Sequence, residues 1–218
     1  MIKFNSIEQW KVYCFNTHKS YVKNKYFVSW LKEKRIDIFN CSTLQEKEVG
    51  YITQAIKNAV KIIDNNFEIN LSKCNEDKLN FAISKGKLVG SKLLSTVKKS
   101  RRINKISKAC IFLINKRVKS GQELLKFGDA LTYVSDGVTI FTLNPSIKYP
   151  LSFYKNEVKH EMCHLLGLNI HHEDTEVEEY GKASKCLMEY NAPSEKICQK
   201  CKDGLNSFWK GVEYATRN

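Results

Sequence analysis

From residue 46 to about 64 the apolar positions Val49, Ile52, Ile56, Val60 and Ile63 recur at helical spacing, and Asn65-Asn66 is read as the helix end. A second helix is predicted from about residue 86 to 99, with Leu88, Leu93, Leu94 and Val97 inward and lysines outward. Ala109–Ile114 is short, continuously apolar and flanked by basic residues, which is the pattern of a buried strand. Residues 131–135 and 138–143 are β-prone runs on either side of Asp136-Gly137, so a hairpin with a two-residue type I′ turn is expected. Asn144-Pro145 closes its second strand. A last helix opens near Pro150 with Ser152 as its N-cap. It buries Tyr154, Val158, Met162, Leu165 and Leu166 and stops at Gly167.

Residues 1–45 have no such order. They are rich in aromatics (Trp10, Tyr13, Phe15, Tyr21, Tyr26, Phe27, Trp30, Phe39) and carry no cluster of polar chemistry. The run from Tyr26 to Trp30 suits a strand or a buried helical turn equally. This part is read as an N-terminal extension of unknown role, with 46–218 as the main domain. No internal repeat or low-complexity tract is present.

A chain of 218 residues can bury a substantial core without disulfides. No apolar run approaches the length of a bilayer span, and the N-terminus lacks the layout of a secretory signal. A soluble, cytoplasmic protein with no membrane partner is therefore expected. Charge sharpens the picture. Residues 85–119 hold twelve Lys or Arg and no Asp or Glu, whereas residues 173–179 hold Glu173, Asp174, Glu176, Glu178 and Glu179. The basic segment reads as a solvated face, or as a patch that attracts nucleic acid or an acidic partner.

Four of the five histidines fall between residues 160 and 172. The run His160-Glu161-Met162-Cys163-His164 is H-E-x-x-H, and a helix sets the two histidines one turn apart on one face. That spacing suits two imidazoles on one zinc ion, with Glu161 as general base on a zinc-activated water. Of the eight cysteines, Cys14, Cys41, Cys74 and Cys110 are scattered and read as small buried hydrophobes. Cys163 points to another face of the helix and reads as packing. Cys186, Cys198 and Cys201 cluster downstream, which in a reducing compartment means metal ligation. The acidic run after His172 could instead offer a carboxylate to the metal; otherwise it is a solvated loop or an outer support for the site.

Gly167 three residues after His164, a further histidine beyond it, and Met188 downstream resemble the metzincin zinc peptidases. There the glycine lets the chain turn so that a third histidine returns to the metal, and a methionine sits in a tight turn beneath it. More closely, the chain is similar to the archaemetzincins. Their pattern has a cysteine directly after the third histidine, another two residues before the methionine, and a C-x-x-C beyond. These cysteines hold a second, structural zinc. Here Cys186 precedes Met188 by two, and Cys198-Gln199-Lys200-Cys201 is the C-x-x-C.

Two departures stand out. The family's third histidine comes ten residues after the first, which is Ile170; His171 is one place later. The expected cysteine is replaced by His172. The resemblance then implies His160, His164 and His171 on a catalytic zinc, and His172, Cys186, Cys198 and Cys201 on a structural one. Adjacent loop residues can point either way, so the reverse assignment of His171 and His172 stays open.

The fold so implied is α+β and metzincin-like: a mixed twisted sheet, an active-site helix and a C-terminal zinc-stapled subdomain over residues 171–205 of a catalytic domain spanning 46–218. The activity implied is zinc-dependent hydrolysis of a peptide or protein substrate laid along the edge at residues 131–135. Tyr190 matches the position of an oxyanion-stabilising tyrosine in astacin-like relatives, or else packs near the turn. Two rival readings remain: a catalytically weak zinc protein that binds nucleic acid or protein through its basic face, and a protein whose zincs are purely structural. Oligomeric state is not legible.

Overall fold

The six residues of Ala109–Ile114 (β6) are all buried, as a continuous apolar run dictates when both sheet faces are covered. The computed structural model describes residues 1–22, 30, 33–63, 66–74, 76–102, 109–181, 185–190 and 194–217. In chain order the strands are β1 (Ile2–Phe4), β2 (Arg35–Cys41), β3 (Glu68–Lys73), β4 (Ile83–Ser84), β5 (Lys87–Val89), β6, β7 (Val118–Ser120), β8 (Glu123–Leu124), β9 (Ala130–Tyr133), β10 (Val138–Thr142) and β11 (Thr175–Val177). The main sheet has the order β3-β2-β6-β10-β9. Its first four strands are parallel and β9 is antiparallel to β10, so a mixed sheet ends in an antiparallel edge.

Alternation assigns the two faces. Ile36, Ile38, Ile111 and Leu113 face a core shared with helices Glu46–Val60 and Leu151–Leu165. Cys110, Phe112, Ile114, Val138 and Ile140 face the other side. There Leu93 and Val97 of helix Gly90–Arg102 and Leu88 and Val118 of the small sheet β4-β5-β7-β8 cover them. The Tyr154 hydroxyl donates to Glu48 at 2.8 Å and fastens the two helices of the first face together.

The residues read as an extension are woven into this frame. Strand β2 lies between β3 and β6. Helix Ile7–Val22 packs along the C-terminal helix Gln199–Arg217, where Trp10 Nε1 donates to the Lys200 carbonyl at 2.8 Å. Strand β1 pairs in parallel with β11, just beyond the histidine run. Residues 26–29 lie outside the described residues. Among the described residues no helix is long and apolar enough to cross a membrane.

Several local expectations are corrected. The basic helix starts at Gly90, because Leu88 is drawn into β5 opposite Val118. The hairpin exists, but Val138 pairs with Tyr133, and residues 134–137 form its connection. Val134 is buried in the first core and starts a 3-10 turn that closes on Gly137. Only Gly137 has positive φ, whereas a type I′ turn requires it at both central residues. Pro150, with fixed φ and a free carbonyl that accepts the Phe153 N–H at 3.0 Å, is the N-cap of the histidine helix; Ser152 lies inside it. The helix begun at Glu46 ends at Val60, four residues short of the expectation, with Asp64 and Asn65 outside the described residues. Cys14, Cys41 and Cys110 are buried, but Cys74 is only partly so.

Candidate metal centre

His160 and His164 lie on the inner face of helix Leu151–Leu165 and are both buried. The helix ends against Gly167, whose φ of +110° only glycine adopts without strain. A Cβ there would also collide with Phe208 Cε1, so the residue meets both a backbone and a packing demand. The reversed chain carries the Leu168 carbonyl back to His164 Nδ1 at 2.7 Å, and the Leu187 carbonyl meets His160 Nδ1 at 2.8 Å. In both rings Nδ1–H donates, which leaves each Nε2 with a bare lone pair.

Those lone pairs converge. His164 Nε2 lies 3.0 Å from His160 Nε2 and 3.3 Å from His171 Nε2. Lone pairs facing one another at such distances repel unless a cation sits among them, and three imidazole nitrogens are a donor set that zinc accepts. Burial pushes the His164 pKa down to about 3, with His160 adding to the effect, and burial lowers His171 as well. Both rings are therefore neutral near pH 7, the protonation state a metal needs.

Glu161 sits beside this cluster with its Oε2 accepting the Thr132 hydroxyl at 2.5 Å. Thr132 in turn lies 3.0 Å from the buried hydroxyl of Thr139 on β10. Burial pushes the Glu161 carboxyl up, while the Thr132 hydrogen bond and His160 pull it back. The general-base candidate is thus tied to the edge strand β9. Nothing local in the sequence marks Thr132, which reaches Glu161 only after sheet and helix pack.

His172 turns the opposite way from His171. Its Nδ1 lies 3.4 Å from Cys198 Sγ and 3.7 Å from Cys201 Sγ, and Cys186 Sγ lies 3.8 Å from Cys201 Sγ. One ligand atom from each of the four falls within 4.8 Å of the others. The backbone N–H groups of Met188 and Cys198 both point at Cys186 Sγ at 3.4 Å, which stabilises negative charge on that sulfur. Hydrogen bonding from Cys186 and then Cys201 holds the Cys198 pKa down at about 3. Three sulfurs and one imidazole suit a closed tetrahedral zinc. Cys163 is fully buried in the main core, and its thiol pKa is pushed up to about 12 by burial.

Met188 is buried within the turn after Cys186, and its carbonyl accepts the His172 N–H at 2.7 Å. Tyr190 is exposed, stacks on His171 with ring centroids 4.0 Å apart, and donates its hydroxyl to Asp174 at 2.8 Å. The hydroxyl is therefore committed to a carboxylate in this structure. The acidic run acts as a set of ties. Glu173 accepts the Tyr190 N–H, Glu176 pairs with Lys3, and Glu179 accepts the Ile7 N–H at the start of the first helix. Lys200, buried despite its charge, donates to the carbonyls of His172 and Thr175 at 2.9 and 2.7 Å; the sequence carried no sign of this.

No protein-family model matches the chain, and no curated protein is significantly similar to it. Solved structures are similar in fold. Archaemetzincin from Methanopyrus kandleri superposes with a TM-score of 0.57 at 13% identity, over 81% of this chain and 95% of that one. A zinc-dependent peptidase from Methanocorpusculum labreanum gives 0.54 at 16% identity, over 78% of this chain and all of the other. The chain is archaemetzincin-like in fold, an α+β unit in which helices pack on a mixed sheet with one antiparallel edge.

Proposed function

We propose that this protein is a zinc-dependent peptidase of the H-E-x-x-H metzincin type, with one catalytic and one structural zinc. The observation that carries the reading is the convergence of the Nε2 atoms of His160, His164 and His171 beside Glu161, which is tied to the edge strand β9. The similarity in fold to a zinc-dependent peptidase supports it. His160, His164 and His171 would hold the first zinc, and His172, Cys186, Cys198 and Cys201 the second. When bound, the first ion would polarise the scissile carbonyl and acidify the attacking water.

The chain supplies the rest. A peptide substrate lies along the edge of β9 and pairs with its backbone, which sets the scissile bond over the histidines. The Glu161 carboxylate takes the proton of the attacking water and passes it to the leaving amine. Thr132 holds that carboxylate toward the cleft, so the strand that receives substrate also aims the base. Tyr190 stacks on His171 and limits that ring's rotation; swung off Asp174, its hydroxyl would reach the developing oxyanion. The reading includes a reducing, cytoplasmic setting in which the three cysteine sulfurs remain available as thiolates.

Glu161→Gln tests the assignment. The variant should retain the zinc content of the parent, measured by elemental analysis, while turnover of a fluorogenic peptide library falls by at least about 10³-fold. Retained cleavage in that variant would exclude Glu161 as the base. Parent protein that holds its zinc and cleaves none of the library would favour the reading as a binding module.

A further inference from the structure

Lys200 is buried at a place where the local influences disfavour a cation. It stands in the first turn of helix Gln199–Arg217, whose free N–H groups already form the positive end of the helix dipole. That turn has no acidic side chain. Asp203, the first carboxylate of the helix, commits its two oxygens to the Tyr180 hydroxyl and to Gln199 Nε2. Among the described residues no carboxylate lies within ion-pair distance of Lys200 Nζ, and its acceptors are the carbonyls of His172 at 2.9 Å and Thr175 at 2.7 Å. Two neutral carbonyls compensate a buried unit charge only in part; such a charge persists where a full opposite charge lies close by.

The cysteine cluster can supply that charge. Lys200 lies between Cys198 and Cys201 in the chain, and its acceptor His172 carries the imidazole whose Nδ1 stands 3.4 and 3.7 Å from those two sulfurs. Hydrogen bonds from Cys186 and Cys201 do most to hold the Cys198 thiol in its charged form, and the Lys200 charge adds to them. Two backbone N–H groups aimed at Cys186 Sγ favour the same state of that sulfur. Trp10 Nε1, donating to the Lys200 carbonyl at 2.8 Å, fixes the backbone of the lysine beside the cluster. Three thiolates and one neutral imidazole around a divalent zinc sum to one net negative charge, equal in size to the ammonium.

We propose that Lys200 is the built-in counter-cation of the second metal group: its ammonium balances the net negative charge of a zinc held by Cys186, Cys198, Cys201 and His172, and so sets the affinity of that group for the metal. The inference rests on the reading above that this group holds zinc. Lys200 contributes no ligand and acts through position. Because its Nζ also holds the His172 carbonyl, the charge that favours the metal is tied to the peptide that carries His171 and His172. Without metal and with neutral thiols the ammonium would lose its balancing charge, so zinc binding and the packing of this helix turn are coupled.

The test follows zinc on the full chain by competition with a chromophoric chelator. Cobalt(II) in place of zinc reports sulfur ligation through its sulfur-to-cobalt charge-transfer band. Lys200→Gln removes the charge and keeps an amide donor; it should weaken zinc at the second group by about 10–100-fold and leave the saturated cobalt band unchanged. Cys198→His makes the set two thiolates and two imidazoles, which leaves no net charge on the zinc group. In that background Lys200→Gln should weaken zinc by no more than about twofold. Parent affinity retained in Lys200→Gln overturns the proposal, because the carbonyl ties alone would then suffice. An equal loss in both backgrounds also overturns it, since the charge on the sulfurs would not matter. Where Cys198→His takes up no cobalt at that group, Lys200→Arg decides: affinity within about twofold of the parent supports the proposal, and a loss equal to that of Lys200→Gln overturns it. A parent chain that gives no sulfur-to-cobalt band removes the second-zinc reading itself, and the inference falls with it.

Discussion

Gly167→Ala isolates the point at which the chain leaves the histidine helix and returns with His171. Two costs are expected, and they have different origins. The backbone at φ +110° forces an alanine into a region that L-residues avoid, at about 1–3 kcal/mol. The new Cβ would collide with Phe208 Cε1 and lie 2.6 Å from both Cδ1 and Cζ, inside a core where overpacking costs about 1–3 kcal/mol. Phe208 is buried and cannot swing clear, so the sum is roughly 2–6 kcal/mol, a large share of a domain's usual stability. Urea denaturation in a zinc-buffered solution measures it, and thermal melts should drop by roughly 10 °C. Phe208→Ala removes Cδ1, Cε1 and Cζ together, so the same glycine substitution made in that background should cost only the backbone part. Stability of Gly167→Ala within about 0.5 kcal/mol of the parent would refute both the turn and its packing.

Two further outcomes are expected. Thr132→Val removes the hydroxyl from the Glu161 carboxylate, a hydrogen bond to a charged group worth about 1.5–3 kcal/mol, so kcat/KM should fall about 10–100-fold with zinc content unchanged. Thr132→Ser should restore most of it; equal loss in both variants would show that the methyl, not the hydroxyl, matters. Cys198→Ser with Cys201→Ser should reduce zinc from two per chain to one by elemental analysis, and two zincs retained would remove these cysteines from the ligand set.

What could be read in advance depended on how far apart the cooperating residues lie. The helix begun at Glu46 and strand β6 carry their own signatures, because each buries a face that its local pattern already marks. Strand β2 was missed. Its alternation is interrupted by Asp37 and Asn40, both buried, and only the fold shows them satisfied by Arg35 and by Ser42. Without those partners a polar residue at a core position reads as a surface position. The histidine cluster was legible because three donors share one short run, and the cysteines because their spacing repeats a known ligand pattern. Thr132 and Lys200 were not, since their contacts join residues 29 and 28 positions apart across separate elements.

The adjacency of His171 and His172 makes the two proposed metal groups mechanically one. Residues 186–188 touch both: Cys186 Sγ belongs to the second group, the Leu187 carbonyl orients His160, and the Met188 carbonyl accepts the His172 N–H. Lys200, between the last two cysteines, holds the His172 and Thr175 carbonyls, and Trp10 holds Lys200 in turn. A zinc on the cysteines would therefore fix the peptide that aims His160, and the N-terminal helix would brace that arrangement from behind. Support of this kind typically changes metal affinity about 10–100-fold without contributing a ligand. The reversal after Gly167 has to deliver two consecutive imidazoles to opposite sides, and His172 reaches the cysteine sulfurs from a backbone already anchored to Met188.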